Sequence, residues 1–80
     1  MTSEQIEAIV RSADQPLQIK FKTRNAIKGL FIRTADYSEL SRKNLWRIVS
    51  EGNMEEYNQT KNVNLARIFN GTEFTRLERT

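Results

Sequence analysis

The stretch Leu17-Gln18-Ile19-Lys20-Phe21-Lys22-Thr23-Arg24-Asn25-Ala26-Ile27-Lys28-Gly29-Leu30-Phe31-Ile32-Arg33-Thr34 decides the fold. Leu17, Ile19 and Phe21 fall on one side of an extended chain and Gln18, Lys20 and Lys22 on the other, the period of two that marks a strand with one wet face. Arg24-Asn25 supplies a turn, because asparagine tolerates left-handed backbone angles, and a second β-rich run follows it. The pattern predicts a hairpin with strands over 17–24 and 26–34. Gly29 lies inside the second strand, where glycine weakens pairing unless the sheet bends sharply or another backbone comes close. A small, strongly bent antiparallel barrel needs such a bend.

Working outward towards the N-terminus, Thr2-Ser3-Glu4-Gln5 has the form of a capping box. Ile6, Ile9, Val10 and Ala13 then recur at helical spacing, with Glu7 and Arg11 paired on the wet side, so a helix is expected over 3–13, ended by Asp14-Gln15-Pro16. In the other direction the polar stretch 35–44 reads as a loop and Leu45-Trp46-Arg47-Ile48-Val49 as a third strand over 45–50. Residues 51–62 fit either a long hairpin loop or a segment with a turn of helix around Met54 to Gln59. A fourth strand is expected over 63–69, a tight turn at Asn70-Gly71, and a short fifth strand over 72–77 in which Phe74 and Leu77 stay apolar.

The chain has 80 residues, enough for one domain with a thin core, so burial against further copies of itself is expected. It contains no cysteine and no histidine, which removes disulfides, thiolate nucleophiles and the commonest base and zinc ligand. The carboxylate pairs Glu55-Glu56 and Asp36 with Glu39 lack the cleft that acid–base chemistry requires, and the three glycines lie too far apart to cradle a phosphate. No enzyme activity and no cofactor are expected. With neither a leader pattern nor a long apolar run, a cytoplasmic location without membrane contact is expected.

A net charge of +3 attracts polyanions weakly. Lys20 and Lys22 share the outer face of the first strand, where they either meet a backbone phosphate or form a solvated face. Arg47, Arg67 and Arg76 lie on three expected strands and either cluster or pair with Glu51, Glu73 and Glu78. Trp46 is either a base-stacking platform or core, and Tyr37 and Tyr57 are loop aromatics that either bind or anchor.

The order helix, hairpin with an interior glycine, third strand, variable loop, fourth strand, tight turn and short fifth strand resembles that of Sm-like proteins, including the bacterial Hfq family. Leu17 to Asp36, with Gly29, Leu30, Ile32 and Asp36, is similar to the first Sm motif, and Arg67-Ile68-Phe69-Asn70-Gly71-Thr72-Glu73-Phe74 to the second. The resemblance implies a mainly β, five-stranded, strongly bent small barrel with one N-terminal helix. It also implies a homo-oligomeric ring, because Sm-like subunits pair the fourth strand of one copy with the fifth of the next, here 63–69 with 72–77. Such rings commonly bind single-stranded RNA at the inner rim. Left to contact RNA here are Tyr37, next to the position the family uses, Asn70 as a base-edge donor and acceptor, and the cations Lys20, Lys22, Arg47, Arg67 and Arg76. Ser38 and Glu39 stand where the family often has an aromatic or histidine and an asparagine, and Asn70 where it often has arginine. Those departures favour the alternative expectation, an oligomeric protein–protein interaction or assembly module that binds no nucleic acid.

Overall fold

The computed structural model describes residues 1–13 and 15–79. Helix α1 (Ser3–Ser12) is followed by β1 (Leu17–Phe21), β2 (Ile27–Phe31), α2 (Tyr37–Arg42), β3 (Leu45–Ser50), α3 (Glu51–Thr60), β4 (Arg67–Asn70) and β5 (Phe74–Arg79), with 3-10 turns at Val63–Leu65 and Gly71–Glu73. The capping box forms: the Gln5 N–H donates to Thr2 Oγ1 at 3.2 Å and the Thr2 N–H to Gln5 Oε1 at 3.0 Å. It starts α1 so that Ile6 and Val10 face inward.

The strands make one antiparallel sheet in the order β4-β3-β2-β1-β5. β4 and β5 are its two edges, and the sheet is not closed. It is nevertheless bent. In a flat sheet β1 and β4 would lie about 14 Å apart, yet the Phe21 ring of β1 and the Phe69 ring of β4 have centroids separated by 5.9 Å. Phe74 of β5 likewise reaches Phe31 of β2, edge to face at 6.3 Å. The concave side holds the core, in which Ile6, Val10, Leu17, Ile19, Trp46, Ile48, Phe74 and Leu77 form one buried cluster.

Gly29 makes the bend sterically possible. A Cβ there would stand 2.5 Å from Ile48 Cγ2 and 3.1 Å from Ile19 Cδ1, so the two isoleucines of the neighbouring strands meet over the glycine. A second fastening is Asn44, in the left-handed region at φ 60°. Its Oδ1 accepts from the buried Trp46 Nε1 at 2.8 Å, its Nδ2 donates to the Met1 carbonyl at 2.9 Å, and its own carbonyl accepts from the Gly71 N–H at 2.8 Å. One residue thus ties the start of the chain, the core tryptophan and the turn between β4 and β5. Gly71 has no room for a side chain, since a Cβ would fall 2.1 Å from Asn44 Oδ1.

Several boundaries differ from the sequence expectation, each for a local reason. The first hairpin pairs Leu17 with Gly29 and Ile19 with Ile27, so β1 ends at Phe21 rather than at 24, β2 spans 27–31 rather than 26–34, and Arg24-Asn25 lies in a longer connection than a two-residue turn. Past Phe21 the Lys22 N–H turns to the Glu73 carbonyl at 3.0 Å instead of to β2. The helix expected over 3–13 closes with Ala13 as its C-cap, and Asp14 lies outside the described residues. The 35–44 stretch contains α2, which buries Ser41 and sets Tyr37 edge-on to Trp46 at 6.0 Å. Residues 51–62, left open between loop and helix, hold the ten-residue α3. The fourth strand is 67–70 rather than 63–69, because the Asn62 side chain accepts from the Asn64 N–H at 3.0 Å and curls 63–65 into a 3-10 turn. Asn70 does the same to Thr72, so the expected tight turn is a 3-10 turn and the last strand is 74–79 rather than 72–77.

Candidate functional site

The seven candidate residues fall in three places. Arg47 and Tyr37 sit together beside β3. Arg47 grips Asp36 with two hydrogen bonds, Nη2 to Oδ2 at 2.8 Å and Nε to Oδ1 at 3.3 Å, while the Thr34 hydroxyl also donates to Oδ1. The Arg47 hydrogen bond, helped by that of Thr34, lowers the Asp36 pKa to about 2, and the same bond raises that of Arg47. Tyr37 has its ring against Trp46 and the Arg33 guanidinium 5.6 Å from its centroid, and the cavity beside it measures about 10 Å³. That is room for roughly one water and not for a base.

Lys20 and Arg76 face each other across β1 and β5 and share an acid. Glu78 lies 2.9 Å from Lys20 Nζ and 3.6 Å from Arg76 Nε, and the hydrogen bond from Lys20 is the main cause of its lowered pKa. Glu78 offsets only one of the two positive charges, on an exposed face where such pairs are worth little.

Arg67 and Asn70 belong to a third place, which Lys22 adjoins in sequence. Where the bent sheet stops short of closing, a cleft of about 370 Å³ is lined by Phe21, Thr23, Arg24, Arg67, Ile68, Phe69, Asn70 and Glu73. Arg24 lies over both rings, its guanidinium carbon 4.9 Å from the Phe21 centroid and 5.8 Å from that of Phe69. Phe69 opposes Trp46 and Arg67 opposes Ile48 in the β3–β4 ladder, so both project to the concave side, while Ile68, 49% exposed, faces outward with Arg47. Among the described residues, neither Arg24, Arg67 nor Lys22 has a carboxylate partner. The arrangement offers guanidinium donors over aromatic faces, suited to a flat or anionic group. No cluster of carboxylates among the described residues could hold a metal ion, and no helix among them is long and apolar enough to cross a membrane.

Sequence reasoning missed Arg24, Phe21 and Phe69 as site residues. The available signal was interleaving: a cation follows Phe21 by three residues and precedes Phe69 by two on the same face of an edge strand. Comparison with protein-family models, with curated proteins and with solved structures finds no match for this chain.

Proposed function

We propose that this chain is a subunit of an Sm-like ring, its sheet rolled as a small barrel, and that the ring binds single-stranded RNA. The observation that carries the reading is the strand order β4-β3-β2-β1-β5, which leaves β4 and β5 as the two edges. Each copy then offers one β4 edge and one β5 edge, the pair through which Sm-like neighbours join, and pairing them would satisfy backbone groups that an open edge exposes. For RNA, the support is the net charge of +3 together with Lys22, Arg24 and Arg67, which no acid among the described residues neutralises.

The test combines mass in solution by light scattering with titration of labelled oligo-U and oligo-A at several salt concentrations. The expected result is a discrete oligomer whose log affinity falls with log salt by roughly 0.7 per phosphate neutralised. A monomeric mass at high micromolar concentration overturns the ring. A second reading, an assembly module without nucleic acid, is favoured by the internal pairing of Lys20, Arg47 and Arg76. It takes over if an oligomer forms but neither oligonucleotide binds at micromolar protein and low salt.

A further inference from the structure

We infer that the nucleotide-holding site of this chain is the cleft between the end of β1 and β4, with Arg24 over Phe21 and Phe69 at its centre. The inference rests on the RNA reading for the class of ligand and adds the place. It moves the contact away from Tyr37, whose ring is packed against Trp46 and Arg33 beside a space too small for a base.

Size is the first argument. A volume of about 370 Å³ sits at the low end of small-ligand sites, as a single nucleotide requires. Chemistry is the second. Arg24 lies over the two rings, and no carboxylate among the described residues takes its N–H donors. Arg67 brings a second unneutralised cation to the same cleft, so phosphate oxygens find two donors, while the half-buried Phe21 and Phe69 rings give a base an aromatic wall beside them. Asn70 spends its Oδ1 on the Thr72 N–H at 3.0 Å and hydroxyl at 2.8 Å, which turns its amide N–H₂ into the group left for a ligand. Glu73 is the one acid of the lining and sets the selectivity. It weakens a purely anionic partner such as an acidic peptide, and it can accept from a base, so a ligand that carries both a phosphate and a flat hydrogen-bonding ring fits better than a row of carboxylates.

The experiment measures binding of a fluorescein-labelled eight-nucleotide RNA to the full chain by anisotropy, using two charge-matched double variants. R24Q/R67Q removes two cations from the cleft, and K20Q/R76Q removes two from the outer face of β1 and β5. All four side chains are exposed; thermal melts confirm that each variant folds, and light scattering confirms that each keeps the mass of the unaltered chain. The expected result is at least a tenfold loss of affinity and a shallower salt dependence for R24Q/R67Q, less than a threefold loss for K20Q/R76Q, and tighter binding for E73Q. Equal losses in the two double variants overturn the cleft while leaving RNA binding in place. Absence of binding by the unaltered chain overturns the RNA reading and the inference with it. A poly-glutamate peptide that displaces the RNA at equal concentration overturns the nucleotide assignment in favour of a peptide.

Discussion

Two arginines close in sequence to aromatic residues meet opposite fates in this molecule. Arg47 lies next to Trp46 in sequence and spends its guanidinium on Asp36, at 2.8 and 3.3 Å. Arg24 lies over Phe21 and Phe69 and meets no acid among the described residues. The first arginine fastens the segment before α2 to β3, and the second leaves its donors to whatever enters the cleft. The difference lies in the neighbours, not in the residue type, so a count of cations says little about where a polyanion would land.

The fastened region should break first under mutation. Asn44→Ala strands the buried Trp46 N–H and leaves alanine in a left-handed conformation, and should cost about 3 kcal/mol of stability in urea unfolding. A loss below about 1 kcal/mol would mean that Asn44 does not hold the region. A smaller effect, dependent on pH, is expected at Asp36. Its pKa is depressed in the folded state, so its contribution is complete above the unfolded value of about 4 and disappears as pH falls towards about 2. Asp36→Asn should therefore be less stable than the parent at neutral pH, and the gap between their melting temperatures should narrow across that interval. A gap that stays constant with pH would detach the Arg47 pair from stability. The smallest effect belongs to the open region: Arg24→Ala gives up only exposed cation–aromatic contacts and should shift unfolding by less than about 1 kcal/mol. A larger loss would make Arg24 a structural residue and erase the contrast.

What could be read from the sequence is what depends on near neighbours. The capping box at Thr2 and Gln5, the alternation from Leu17 to Phe21 and the strand Leu45–Ser50 all follow from residues within one turn or one strand. For 51–62 the sequence leaves loop and helix both open, because Glu51–Thr60 has no apolar stripe and buries nothing fully, so only tertiary contact decides for α3. Val63 and Leu65 imitate a strand, and it is the Asn62 side chain, competing for a backbone N–H, that turns them aside. Asn44 sits in a polar run with nothing nearby to mark it, since Met1 and Gly71 reach it only through the fold. The cleft was hidden for the same reason: Phe21 and Phe69 become neighbours only when the sheet bends across two intervening strands.

The close packing over Gly29 has a further consequence, for the misaligned sheets this chain must avoid. If β2 slid by two residues between its neighbours, Ile27 or Phe31 would arrive where Ile19 and Ile48 already meet, and a full side chain would have to occupy a gap that excludes even a methyl group. Slid by one, the strand would turn Lys28 or Leu30 into that spot and send Ile27 and Phe31 away from the concave core. The missing side chain thus acts as a keyhole that accepts one alignment, penalising the wrong hairpins more than it strengthens the right one.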